Sequence, residues 1–278
     1  MNQLCDLHTH SVYSDGTSTP AELITLAKQA GLCAVALTDH NTVSGIPTFI
    51  SAAQNSGVLA VPGIEVSTDY RGDELHIVGL FQSLQHLSEV EQYVKPYLQR
   101  KEQSNIDLCQ NLCAAGYEIS YEKIKAATPD GTVNRAPIAA ELMRLGYVES
   151  IEAAFSTLLS KKGGFYHEPQ RLEALEVIPK LIEFDAVPIL AHPLLSLDEQ
   201  KLREFLPLAR AAGLVGMETD YSTFTKEKTA LAHALADQFG LLPSGGSDYH
   251  GTNKPDIRIG IGRGNLQVPY DYYPALMG

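Results

Sequence analysis

The chain has 278 residues, 44% of them hydrophobic, enough to bury one barrel-sized core and the ordinary balance of a globular protein. A formal net charge of −12 argues against the broad, electrostatically driven surface that duplex DNA demands, while leaving room for a small anionic substrate beside bound cations. The longest apolar runs, such as "VPILA", are too short to span a bilayer, and the N-terminus shows no signal-peptide core, so a cytoplasmic protein without a membrane partner is expected.

Short β-like runs alternate with amphipathic helices, the pattern of a parallel α/β architecture. The first strand is expected in "LCDLH". A helix follows with Thr19 as N-cap, Pro20 at N1, Glu22 at N3 and Gly31 just past its end. Strands "CAVALTD", "VLAVPGIE" and "ELHIVGL" come next. A second well-signalled helix opens at Ser88 with Glu91 at N3, and Pro96 is expected to kink it. From Leu87 to Arg171 the chain reads mostly as helix, too long a stretch for a loop, so residues 87–171 are expected to form an inserted helical subdomain. Residues 1–86 and 172–278 make the main domain, completed by strands "AVPILAH", "LVGMETD" and "LLPSGGSD". Cys5, Cys33, Cys109 and Cys113 form no CxxC and read as buried free thiols of a reduced protein.

Polar residues gather where these strands end. Strand 1 ends in His8 and His10, which alternate-residue geometry puts on one face, and Asp15 follows. Strand 2 ends in Asp39-His40, strand 3 in Glu65, and strand 4 carries His76. His192 follows strand 5, and Asp248 and His250 follow strand 7. In a barrel of parallel strands, such ends converge on one mouth. Each motif alone has a plain structural explanation: a histidine bonding to a buried carbonyl, a turn with a capping Asp, a strand ended by proline. Together they would bury six imidazoles and several carboxylates without a counter-ion, and metal coordination is the usual way that cost is met.

The series "HTHSVYSDG", "LTDHNT", "GIEVS", "LHIVGL", "LAHP" and "GSDYH" resembles the PHP family, named for polymerase and histidinol phosphatase domains. The resemblance covers nearly the whole chain in order. It implies an α/β fold, a distorted (β/α)7 barrel with the helical subdomain inserted, and two or three divalent metal ions at its mouth. One metal would be held by His8, His10, Glu65 and Asp248, and a second by Asp15, His40 and His250. A third would take Glu65 as a bridge with His76 and His192. Ligands of imidazole and carboxylate type suit Mn, Fe or Zn. Asp15 stands where some family members have a histidine, and this harder ligand leans toward manganese or iron.

The stretches "VNRAPIAAELMRLGYV" and "AFSTLLSKKGGFYHE" are similar to the insertion of PHP phosphoesterases acting on nucleoside 3′,5′-bisphosphates and short RNA 5′ ends. The likeness implies that the insertion roofs the mouth, with Arg135 as the phosphate-facing cation and Lys161, Lys162 and Tyr166 as further candidates. The lysine pair also reads as a solvated loop. One departure is Arg135-Ala136-Pro137, where relatives often show Arg-Pro-His.

Metals about 3.5–4 Å apart can share a hydroxide, a nucleophile at neutral pH that would attack phosphorus in line with the leaving alkoxide. Arg135 would assist, and Asp39 would orient a ligand or shuttle a proton, or else simply bond to loop amides. The expected activity is a metal-dependent phosphoesterase releasing the 3′-phosphate of adenosine 3′,5′-bisphosphate or trimming short 5′-phosphorylated RNA. Two alternatives stay open: a small-metabolite phosphatase such as a histidinol phosphatase, and a metal- or phosphate-binding module without turnover. Oligomeric state is unknown at this level, and His86, His167 and His233 carry no assignment.

Overall fold

The computed structural model describes residues 3–128 and 133–278. In chain order its first elements are β1 Leu4–Asp6, α1 Pro20–Gln29, β2 Ala34–Leu37, α2 Ile46–Ala53, β3 Leu59–Tyr70, β4 Asp73–Phe81 and α3 Leu87–Ala114. Helices α4 Tyr121–Ala127, α5 Arg135–Arg144 and α6 Ile151–Ser156 follow. Next come β5 Leu172–Glu173, α7 Ala174–Glu183, β6 Ala186–Leu190, α8 Pro193–Ser196 and α9 Glu199–Ala212. The chain finishes with β7 Gly216–Tyr221, α10 Lys226–Phe239, β8 Leu242–Gly246, β9 Val268–Pro269 and α11 Tyr272–Met277. Among the described residues, no helix is long and apolar enough to cross a membrane.

The strands make one mixed sheet in the order β8-β7-β6-β4-β3-β2-β1-β9, with β5 beside β3. Beyond β1 and β8 the chain segments run side by side. Leu7 N donates to Gly245 O at 3.1 Å, and Asp248 N to His8 O at 2.9 Å. A parallel bridge links Thr9 and Tyr249, so the sheet is a nearly closed, barrel-like wall. Gly246 permits this approach, because a Cβ there would collide with His8.

Alternation sorts the side chains of β2. Ala34 and Ala36 join an inner cluster with Leu7, Val61, Val78 and Ile189. Val35 and Leu37 face the other way, against Leu23 and Ala27 of α1 and Phe49 of α2. Both faces are thus buried, as parallel strands covered by helices require. Helix α1 carries the expected capping box: Glu22 N donates to Thr19 Oγ1 at 3.2 Å, and Thr19 N to Glu22 Oε2 at 2.7 Å.

The sheet departs from the expected all-parallel pattern at β4, which runs antiparallel to both β3 and β6. Strand β3 does not end at Glu65 but continues to Tyr70. The chain then reverses at Arg71 and Gly72, whose φ values of 54° and 89° are the two left-handed positions of a tight hairpin. Asp69 Oδ1 accepts from Gly72 N at 2.9 Å and fixes the turn. No helix separates β3 from β4, so His76 comes from within a strand, in register with Ser67.

The chain divides into two compact units, Met1–Val94 with Arg171–Gly278, and Lys95–Gln170. The first turns of α3 stay with the first unit because Glu91 is tied down there. Its Oε1 accepts from Thr42 Oγ1 (2.9 Å), Val43 N (2.8 Å) and Ser44 Oγ (2.8 Å). Glu91 therefore anchors a loop instead of capping Ser88, which lies inside the helix, and α3 runs through Pro96 as one element. The second unit has its own core, built from Leu108, Leu112, Ile138, Leu142, Leu159 and Tyr166 among others.

Candidate metal centre

Glu65 is the hub. Its side chain is fully buried near the middle of β3, and five imidazoles approach it. On one oxygen, Oε1, His76 Nδ1 lies at 2.9 Å and His192 Nε2 at 3.0 Å. Around the other, Oε2, His8 Nε2 and His10 Nε2 each lie at 3.2 Å and His40 Nδ1 at 3.0 Å. His76 reaches Glu65 diagonally across the hairpin, whose register sets Glu65 opposite Val78 and Ser67 opposite His76.

His8 and His10 do share a face: their Nε2 atoms are 3.0 Å apart. Thr9 between them turns to β2, its hydroxyl bonding to Ala36 O at 2.5 Å. Asp248 completes this group, with Oδ1 at 3.3 Å from His10 Nε2 and 3.8 Å from His8 Nε2. A second group gathers on Asp15, with His250 Nε2 at 3.2 Å, His10 Nδ1 at 3.7 Å and His40 Nε2 at 3.8 Å. The structure thus brings all nine candidate ligands together, with His10 and His40 each touching two groups.

The donors fit a divalent cation. Metal bonds of about 2.0–2.2 Å put neighbouring ligand atoms roughly 3–3.5 Å apart, the spacing around Glu65. Three sets, His8-His10-Glu65, His10-Asp15-His40-His250 and His40-Glu65-His76, each offer ligand atoms within 4.8 Å of one another. Glu65 Oε2 and His40 Nδ1 are buried and make no hydrogen bond, although 3.0 Å apart, because they meet outside hydrogen-bonding geometry. A shared cation satisfies such a pair, and burial without one is costly. No cysteine takes part in these sets, and nitrogen and oxygen donors alone suit Mn, Fe or Zn.

The electrostatics are those of buried carboxylates set among imidazoles. Burial would raise the Glu65 carboxyl, but His40, His8 and His76 outweigh it and hold it well below the usual range. Burial likewise opposes charge on His10, yet Asp248 and Glu65 lift it to about 9. His76 also rises to about 9, against burial, through Glu65 and Glu74. Burial would raise Asp15 too, but His40 and His250 push it down.

Outer contacts aim the ligands. Glu218, buried on β7, accepts from His8 Nδ1 at 2.9 Å, which leaves Nε2 turned to the centre. His250 Nδ1 donates to Asp248 O at 2.9 Å and presents Nε2 to Asp15. Tyr221 and Lys254 both donate to Asp248 Oδ2, at 2.5 and 2.6 Å. Buried Asp6 accepts from Ser247 N (2.8 Å) and Gly260 N (2.7 Å), fixing the approach to Asp248. The sequence reading assigned none of Glu218, Tyr221, Lys254 and Asp6. The available signal for Glu218 was an acid inside a strand otherwise buried on both faces.

Asp39 bonds to the loop that follows His10. Its Oδ1 accepts from Ser11 N (2.7 Å) and Ser14 Oγ (2.6 Å), and its Oδ2 from Ser11 Oγ (2.6 Å). Both oxygens hold the loop between His10 and Asp15. Arg135, Lys161, Lys162 and Tyr166 belong to the second unit. There Arg135 follows the α5 N-cap Asn134, and its guanidinium lies 4.4 Å from the Tyr166 ring centroid and 5.4 Å from that of Phe155. Tyr166 is a core residue of that unit, and Lys161 pairs with Glu168 at 2.8 Å.

Comparison with known proteins adds to this geometry. The family model described as PHP domain matches residues 6–171. A 5′-3′ exoribonuclease of Haemophilus influenzae is 30% identical over 90% of this chain and 91% of its own length. A phosphoribosyl 1,2-cyclic phosphate 1,2-diphosphodiesterase of Eggerthella lenta is 30% identical over 88% and 94%. A 3′,5′-nucleoside bisphosphate phosphatase of Chromobacterium violaceum is 26% identical over 92% and 90%. A solved structure from Bifidobacterium adolescentis, 24% identical, superposes with a TM-score of 0.82 over 99% of this chain and 96% of its own.

Proposed function

We propose a substrate class from one premise: this chain belongs to the PHP domain family. It is a metal-dependent phosphoric ester hydrolase, and its proposed substrates are nucleoside 3′,5′-bisphosphates, cleaved at the 3′-phosphate, or short 5′-phosphorylated RNA. The observation that carries the chemistry is the convergence of five imidazoles on buried Glu65. The relatives named as an exoribonuclease and a bisphosphate phosphatase support the nucleotide part.

In this reading His8, His10, Glu65 and Asp248 would hold one divalent cation, Asp15, His40 and His250 a second, and His76 and His192 with Glu65 a third. Bound there, Mn, Fe or Zn supplies Lewis acidity toward phosphate and lowers the pKa of water toward neutrality. The protein's own work is to keep the ligands aimed. Glu218 orients His8, Tyr221 orients Asp248, and Asp39 holds the loop that carries Asp15. Arg135 is proposed to meet a substrate phosphate as a charge-assisted donor, with Lys161, Lys162 and Tyr166 as further contacts.

The test is phosphate release by the Mn-loaded protein from adenosine 3′,5′-bisphosphate, a short 5′-phosphorylated RNA, a ribose 1,2-cyclic phosphate and histidinol phosphate. Preference for either of the first two supports the nucleotide reading. Preference for the cyclic phosphate or histidinol phosphate overturns it while leaving a phosphoesterase.

A further inference from the structure

We infer that Lys254 is a substrate contact, its ammonium holding a non-bridging oxygen of the phosphoryl group under attack. This deepens the phosphoesterase reading and rests on it. Lys254 lies in the segment that follows His250, and Nζ donates to Asp248 Oδ2 at 2.6 Å. The other oxygen of that carboxylate, Oδ1, lies 3.3 Å from His10 Nε2. The ammonium is therefore one carboxylate away from the donor atoms proposed to hold the cation, within reach of a phosphate bound there.

Three observations separate this role from that of a mere buttress. First, Asp248 has two anchors besides Lys254. Tyr221 OH donates to the same Oδ2 at 2.5 Å, and Asp248 N donates to His8 O at 2.9 Å. Second, the base of Lys254 is fixed while its tip is open. Asn253 Nδ2 donates to Asp15 O at 2.8 Å, and Thr252 N to Thr17 Oγ1 at 2.8 Å. The Lys254 side chain is nonetheless 39% exposed, against 6% for that of Asp248. Third, the charges favour exchange. A carboxylate that shares its charge with a divalent cation holds an ammonium less strongly, and a phosphate dianion is then the better partner for a flexible point charge.

The test uses Lys254→Met, Lys254→Arg and Tyr221→Phe in the full chain. Each variant is assayed for bound manganese, for inhibition by inorganic phosphate, and for KM and kcat on a phosphate monoester. Lys254→Met should keep the wild-type manganese content, while KM and the phosphate inhibition constant each rise about tenfold, the scale of one hydrogen bond to a charged group. Lys254→Arg should restore most of both. Unchanged phosphate inhibition in Lys254→Met overturns the inference. So does manganese loss in that variant matching its loss of activity, since Lys254 would then only support Asp248. If wild-type protein turned over no phosphate ester, the phosphoesterase reading would fall. Phosphate binding to the loaded protein, followed by thermal shift and weakened in Lys254→Met, would then still uphold the contact.

Discussion

Glu218 joins two candidate ligands that come from distant strands: its Oε1 lies 2.9 Å from His8 Nδ1, and its Oε2 accepts the His192 backbone N–H at 2.6 Å. His192 sits at φ 28°, a backbone conformation that a non-glycine residue keeps only when its surroundings hold it. One buried carboxylate thus sets the His8 ring and pins the strained turn after β6. Glu218→Gln should lower metal affinity by roughly 10–100-fold, the usual scale for an outer partner of a ligating histidine. The far-UV spectrum should stay that of the wild type. Metal titration followed by calorimetry checks this, and wild-type affinity would remove Glu218 from the site.

His10 touches both the Glu65 group and the Asp15 group through its two ring nitrogens. His10→Ala should lose metal and activity together while the barrel remains folded, because the ring lies in the polar cluster and not in the apolar core. Elemental analysis beside circular dichroism reads both. Full activity with metal retained would refute the role.

In the metal-free protein His10 and His76 titrate near 9, above the ordinary 6.5. Raised folded-state values mean stabilisation that is full below about 6.5 and is lost as pH climbs through about 9. Thermal unfolding of the stripped protein should therefore shift to lower temperature between pH 7 and pH 10. Metal uptake at pH 7 should release protons, since the same rings must give them up to coordinate. Calorimetry in two buffers of different ionisation heat measures that release, and no difference between buffers would contradict it.

Arg135→Ala should mainly weaken handling of doubly phosphorylated substrates, raising KM about tenfold for a bisphosphate and less for a monophosphate. The guanidinium lies over the Tyr166 ring, so a stability measurement must accompany the kinetics. Equal KM changes on both substrates would take Arg135 out of phosphate recognition.

The seven strands expected from the sequence are all present, since each is a short apolar run between turn signals, and the histidines at their ends are legible for the same reason. What stayed hidden depends on pairing across the fold. The reversal at Arg71-Gly72 lacks the Asn-Gly or Asp-Gly pair that marks such hairpins, so β4 read as one more parallel strand. Strands β5 and β9 are two residues each, too short for any periodicity to show. Glu91 looked like a capping residue because its spacing from Ser88 fits, but the loop at Thr42 offers it three donors. Glu218 and Tyr221 act through partners brought from elsewhere in the chain, and no local pattern announces that.

The central claim is that the residues around Glu65 hold the cations that hydrolyse phosphate esters. The most direct measurement is phosphate release from adenosine 3′,5′-bisphosphate by chelator-stripped protein as manganese is added back, with bound metal counted at each step. The account predicts no turnover without metal and activity that rises with occupancy to at least two ions per chain. Full turnover by the stripped protein, or metal binding unchanged in Glu65→Gln, would contradict it.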